Sequence, residues 1–261
     1  MNIIVCIKQV PNTNEVKIDP KKGTLIREGV PSIINPEDKH GLEEALRLKE
    51  KVGGKVTVLT MGPPQAKVAL KEALAMGADE AILVSDRAFA GSDTLATSYV
   101  LSKAIEKIGA FDVIFCGRQA IDGDTAQVGP QIAENLGISQ VTYATKFQIK
   151  DDLIEIQRAL EDGYSVLETK LPVLVTVLDK INEPRYPSIK GVVNAFNKMD
   201  VITLSAKDLA LDESRLGLDG SPTKVKKTFV PTHEKIGEIL EGTPEEKVSK
   251  LIYILKDVKI V

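Results

Sequence analysis

Four short apolar runs, each leading into an amphipathic stretch of helical length, constrain the fold more than any other feature. The runs are residues 2–7 (NIIVCI), 55–60 (KVTVLT), 81–84 (AILV) and 112–116 (DVIFC). Continuous apolar runs this short suit strands buried on both faces. The intervening stretches 65–76, 93–108 and 125–136 carry apolar residues at helical spacing, and Gly77 and Gly137 close the first and last of them. Strands alternating with helices imply right-handed crossovers. The expected architecture is therefore α/β: an open, mostly parallel sheet with helices on both faces.

The first crossover is longer. Residues 16–19 and 24–27 flank Pro20-Lys21-Lys22-Gly23 and read as a hairpin. Asn35-Pro36-Glu37-Asp38 then reads as a helix start. Asn accepts from free N–H groups, Pro suits the first helical position, and acids suit the positive end of the dipole. After Gly137 the pattern changes. Residues 141–149 and 153–159 suggest an antiparallel pair around Asp151-Asp152, and 172–178 (PVLVTVL) another buried strand. From Ile181 onward apolar patterning thins, until Thr243-Pro244-Glu245-Glu246 opens a closing helix with a capping box. The expected division is a nucleotide-binding α/β domain over 1–199 and a C-terminal arm over 200–261.

Composition excludes several functions. A net charge of -3, 4% aromatic residues and no Trp leave neither a basic field nor a stacking platform for nucleic acid. The start reads as a strand rather than a signal peptide, and no apolar run is long enough to span a bilayer, so a cytoplasmic protein is expected. Cys6 and Cys116 both lie in strand-like runs and read as core thiols. His40 and His233 lack metal-ligand spacing partners. Neither a dinucleotide glycine fingerprint nor a P-loop is present. Any redox chemistry would belong to a bound cofactor.

In an open parallel sheet, ligands sit beyond the carboxyl ends of the strands, where strand order reverses. The loop after Cys116, GRQAIDGDTAQVG, is the richest candidate. Gly117 permits a sharp turn and Gly123 a close approach, while Thr125 and Gln127 read as opening a helix whose N–H groups favour an anion. Asp122 and Asp124 would repel phosphate and suit a ribose hydroxyl or a cap. The spacing fits a ligand loop and a well-capped turn equally. Asp93, Thr94 and Thr97 offer caps or phosphate donors at the preceding helix start.

Five segments occur in order: Val5-Cys6-Ile7-Lys8-Gln9-Val10-Pro11, Asn35-Pro36, Ala73-Leu74-Ala75-Met76-Gly77-Ala78-Asp79, Gly117-Arg118-Gln119-Ala120-Ile121-Asp122-Gly123-Asp124 and Asn182-Glu183-Pro184-Arg185-Tyr186. Together they resemble the beta subunit of electron-transfer flavoproteins, from the first strand to about residue 210. The resemblance implies an adenine-nucleotide alpha-hydrolase-like sheet and a heterodimer with an FAD-carrying alpha subunit. It also implies an adenine nucleotide held here by Cys6, Asn35, Pro36, Glu37, Asp38, Met61 and the segment Gly117, Arg118, Gln119, Ala120, Ile121, Asp122, Gly123, Asp124, Thr125, Ala126, Gln127 and Val128. Tyr186, Pro187, Ser188, Ile189 and Lys190 match the family's recognition loop for partner dehydrogenases of the acyl-CoA type, with Ile189 at the apolar anchor.

The family has two kinds of beta subunit, one with a structural AMP and one with a second FAD. In the second kind the FAD accepts a hydride from NADH and divides the electrons between the alpha-subunit FAD and a low-potential acceptor such as ferredoxin or flavodoxin. The stretch from Gly91 to Thr97 and the Asp122-Gly123-Asp124-Thr125 variant resemble the electron-bifurcating kind, with Asp93, Thr94 and Thr97 as a second wall. The alternatives are a non-bifurcating subunit holding AMP and, from another class, a stand-alone adenine-nucleotide-binding signalling protein.

Overall fold

The computed structural model describes residues 1–12, 31–150, 153–226, 237 and 239–260. The hairpin expected over 16–27, the Asp151-Asp152 turn and His233 lie outside the described residues. In chain order the elements are β1 (Asn2–Cys6), β2 (Gln9–Pro11), β3 (Ser32–Ile34), α1 (Pro36–Val52), β4 (Lys55–Met61), α2 (Lys67–Met76), β5 (Glu80–Val84), α3 (Thr94–Ile108), β6 (Val113–Gly117) and α4 (Val128–Leu136). These are followed by β7 (Ser139–Lys150), β8 (Leu153–Ala159), β9 (Tyr164–Thr169), β10 (Val173–Val177), α5 (Ile189–Asn197), β11 (Val201–Leu204) and α6 (Pro244–Asp257).

Nine strands form one sheet in the order β11-β5-β4-β1-β6-β10-β7-β8-β9, parallel except for the β7-β8 and β8-β9 pairs. The expected mostly parallel α/β sheet with antiparallel additions is what forms. Leu42, Leu70 and Ala195 of α1, α2 and α5 pack on one face, together with Val5, Val58 and Phe115. Tyr99, Val100 and Ile132 of α3 and α4 pack on the other, with Ile4, Leu59 and Ile114. Strand alternation explains the division: Ile3 and Val5 face one core, Ile4 and Cys6 the other. The chain after β1 leaves to one face and the chain after β6 to the other. The β1-β6 seam is thus the topological switch point, and the carboxyl ends of these two strands are where such a sheet is expected to take a ligand.

Two departures concern the second half. β9 and β11 were not among the expected strands. β9 is an edge strand with every second residue exposed, and β11 is only four residues long, so neither shows a dense apolar run. β11 pairs with β5, which brings 201–204 into the main sheet. The chain divides into two compact units, Met1–Lys226 and Lys227–Val261, so its contacts divide later than the expected boundary at 199/200. The second unit contains α6, capped as expected by Thr243 and Glu246, with Val248, Leu251, Ile252 and Tyr253 exposed.

The third departure is α5, where a loop was expected from the partner-binding residues. Ser188 caps it by accepting from the Gly191 N–H at 2.9 Å. Lys71 of α2 donates to the carbonyls of Ala195 (2.7 Å) and Met199 at its far end. Gly191 is required where the two helices touch, because a Cβ there would stand 2.2 Å from the Ala75 carbonyl oxygen. A Gly191→Ala variant is expected to lose about 2 kcal/mol, the cost of overpacking a fixed contact. Chemical denaturation checks this, and an unchanged midpoint would contradict the tight α2-α5 seat.

Candidate nucleotide site

At the β1-β6 switch point one helix start reaches across to one loop. Asn35 is fully buried, but its side chain does not cap α1 as the sequence suggested. Its Nδ2 donates to the Gln119 carbonyl at 2.8 Å and its Oδ1 accepts from the Ile121 N–H at 3.0 Å. Pro36 at the first helical position has no N–H and needs no acceptor, and the Asp38 N–H is taken by the Asn35 carbonyl at 3.0 Å, which leaves the asparagine side chain for the loop. Glu37 accepts from the Gln119 N–H at 2.9 Å and pairs with Arg118 at 2.9 Å. Asp38 accepts from the N–H groups of Lys8 (2.7 Å) and Gly117 (3.1 Å). The acids placed by helix-start chemistry are therefore clamps as well as dipole partners.

Beyond the clamp the loop opens. Ile121, Asp122, Gly123, Asp124 and Thr125 are exposed, and Asp124 and Ala126 sit at φ 52° and 54°, a region disfavoured for residues with a Cβ. Two such residues one apart signify a loop held in a particular shape by its surroundings. Lys8, which the motif reading missed, neutralises Asp122 through a 2.6 Å ion pair. Gln119 bonds to Asp124. The structure starts α4 at Val128, not at Thr125, because the left-handed residues carry the chain away from helical geometry. Gly129 then lets α4 press on β10, where a Cβ would meet Thr176 Cγ2 at 2.7 Å.

The second wall is the start of α3. Thr94 Oγ1 donates to Gln127 Oε1 at 2.9 Å and so joins the two walls. Thr97, half-buried, lies one turn further on. Asp93 is already engaged: one oxygen caps α3 through Ala96 N–H, and the other accepts from the N–H and hydroxyl of Thr223. Those bonds hold its carboxyl below the usual range despite the opposing effect of burial. Cys6 ends β1 in register with Cys116 of β6, both buried and free, while Met61 ends β4 and is half-buried. The Cys6 thiol and burial push Cys116 well up, which keeps it protonated and unreactive.

Several donors of the loop are left free. Among the described residues, the N–H groups of Thr125, Ala126 and Gln127 have no acceptor, and Arg118 Nε is buried without a partner. A side chain at Gly123 would meet only the Lys8 ammonium, at 4.0 Å. No group of three or more metal-ligating side chains occurs among the described residues, and no helix there is long and apolar enough to cross a membrane.

The residues expected to face a partner lie elsewhere, in a segment that follows contacts to α1. Asn182 Nδ2 donates to the His40 carbonyl and to Glu44, both at 3.0 Å. Arg185 forks onto Glu43 through Nε (2.8 Å) and Nη2 (3.1 Å) and also pairs with Glu50. Tyr186 and Ile189 are 95% and 87% exposed.

A family model described as electron transfer flavoprotein domain matches residues 22–209. The chain belongs to this family. Its relatives bear out the beta-subunit resemblance. It is 64% identical, over 97% of its length and 96% of the relative's, to electron transfer flavoprotein subunit beta of Thermoanaerobacterium thermosaccharolyticum. It is 50% identical, over the full length of both chains, to the caffeyl-CoA reductase-Etf complex subunit CarD of Acetobacterium woodii. It is 48% identical, over 97% of each chain, to the acryloyl-CoA reductase electron transfer subunit gamma of Anaerotignum propionicum. This beta subunit therefore works in flavin-linked electron transfer, in a family whose beta subunits pair with an alpha subunit.

Proposed function

We propose that the crevice between the 118–127 loop and the start of α3 holds an FAD, in a beta subunit of the electron-bifurcating kind. The observation that carries this reading is the open, preshaped loop tied to Thr94 across the crevice. The N–H groups near α4 would serve the single phosphate of AMP; a dinucleotide adds a second phosphate, for which the hydroxyls of Thr94 and Thr97 are at hand. Two relatives named for acyl-CoA reductase systems support a partner of that class.

The chain's own contributions follow from its geometry. The clamp from Asn35 to Asp38 fixes the loop before the ligand arrives, which lowers the ordering cost of binding. The N–H groups of Thr125 to Gln127 supply donors to phosphate oxygens without adding charge. Lys8 holds Asp122 and reduces its repulsion of phosphate. Bound there, the flavin would supply hydride acceptance from NADH and one-electron transfer to the alpha-subunit FAD and to a low-potential acceptor such as ferredoxin or flavodoxin. The direct test is anaerobic titration of the co-expressed heterodimer with NADH. Flavin absorbance is expected to bleach stoichiometrically, whereas no bleaching would favour a scaffold subunit holding AMP.

Tyr186 to Lys190 would form the docking site for the dehydrogenase partner, with Ile189 as anchor. An exposed branched side chain contributes little to folding but can fill a partner's apolar pocket. Ile189→Ala is expected to leave stability within about 0.5 kcal/mol while weakening partner affinity about tenfold. Calorimetry with the cognate reductase measures both; undiminished affinity would remove Ile189 as the anchor.

A further inference from the structure

The Asp38 carboxylate stands at the seam between β1 and β6, delivered by the first turn of α1. One oxygen takes the Lys8 N–H just beyond β1, and the other takes the N–H of Gly117, the last residue of β6. One side chain thus ties the two strand ends from which the site's loops depart. The loop hangs from the same place, since the Lys8 ammonium holds Asp122 and Glu37 holds Arg118 and Gln119. Asp38 itself is buried, with both oxygens committed to backbone. It was expected to contact the nucleotide, yet its geometry serves the backbone instead.

We propose that Asp38 is the positioning residue of the site, its ionised carboxylate holding the β1 and β6 ends at the spacing a nucleotide needs. This rests on the crevice being a nucleotide site. An ionised carboxylate accepts at both oxygens. Once protonated, its O–H opposes one of the two N–H donors and that bond is lost. The groups around it leave the proton's position open to pH. Glu37 beside it adds negative charge, the Cys6 and Cys116 thiols face the seam from β1 and β6, and the Lys8 and Arg118 cations are engaged by Asp122 and Glu37. Burial pushes Asp38 up to about 7, against hydrogen bonds from Asn35, Lys8 and Gly117. The clasp is complete above that pH and loses a bond as pH falls through it, so nucleotide affinity falls toward acid. The folding contribution runs the other way: a folded-state value raised above the ordinary 3.8 favours folding most at low pH, and that contribution declines as pH rises from about 4 to about 7.

The test uses the heterodimer stripped of nucleotide and titrated separately with FAD and with AMP. Wild-type affinity is expected to be about tenfold weaker at about pH 6 than at about pH 8, the ratio that ionisation near neutrality gives. Asp38→Asn, which keeps one acceptor and never ionises, is expected to bind about tenfold more weakly at the higher pH and to show no slope beyond the ligand's own titration. Amide hydrogen exchange at Lys8 and Gly117 should accelerate in the variant. A wild-type profile without this slope would overturn the proposal even if the variant failed to fold. So would a variant matching wild type in affinity and slope. Wild type that binds neither nucleotide would overturn the nucleotide reading and this proposal together, whereas binding without the slope overturns this proposal alone.

Discussion

Gly117→Ala is expected to lower stability by roughly 3 kcal/mol and to empty the proposed nucleotide site, because the added methyl has no space to enter. Its Cβ would lie 2.3 Å from Asp38 Oδ1, 2.8 Å from the Asp38 nitrogen and 2.9 Å from the Glu37 carbonyl carbon. Two of these three atoms are backbone of α1, so the clash cannot be relieved by turning one side chain. Either α1 retreats from the sheet, breaking the Asn35, Glu37 and Asp38 contacts together, or β6 shifts within a fully buried strand. Both routes dismantle the clamp. For a unit of this size the melting temperature should fall by about 6–12 °C. Differential scanning calorimetry measures the fall, and the adenine released by acid precipitation measures occupancy. An unchanged melting temperature with full occupancy would contradict the close α1-β6 approach.

Arg185→Ala is expected to cost about 3 kcal/mol and to loosen the segment Tyr186 to Lys190 without emptying the proposed nucleotide site. Glu43 is a buried carboxylate, its side chain 3% exposed, and Arg185 and Arg47 are its partners. Removing Arg185 leaves a buried charge underpaired, which costs more than the pair itself is worth. Arg185→Lys should recover only part of the loss, because an ammonium cannot reproduce the fork onto Glu43 and Glu50. The pH dependence has a definite sign. Burial pushes Glu43 up, but the hydrogen bonds from Arg185 and Arg47 outweigh it and hold the carboxyl below its ordinary value of 4.5. The stabilisation is therefore present above about pH 4.5 and lost as pH falls through the lowered value. Denaturation of both proteins from neutral to acid pH should show the difference between them narrowing at the acid end; a constant difference would argue against the Glu43 pair.

The order of strands and helices was legible because parallel strands buried on both faces are dense apolar runs, as in β1, β4, β5, β6 and β10. Elements that bury only one side were harder to read. β9 alternates weakly along the sheet edge, and β11 is short. The apolar spacing of Ile189, Val192, Val193 and Phe196 behind Ser188 was the available signal for α5, but those side chains face outward and the segment resembled a loop. At the candidate site, the structure brings together several of the residues named from the sequence but gives some of them other bonds. Asn35-Pro36-Glu37-Asp38 has the composition of a helix cap, and nothing local reveals that Asn35 reaches 84 residues on to Gln119. Thr125 and Gln127 looked like a helix start because left-handed geometry at Asp124 and Ala126 leaves no mark on residue type. Lys8 escaped notice because its partner Asp122 is 114 residues away.

The stand-alone signalling alternative loses its footing, since the family relationship covers nearly the whole chain and extends through the closing helix. Within the proposed function, the choice left is between FAD and AMP. The most direct measurement is the cofactor content of the heterodimer, co-expressed with its alpha partner, purified without added nucleotide and extracted for chromatography. The account predicts two FAD per heterodimer and no AMP. One FAD with one AMP would contradict it.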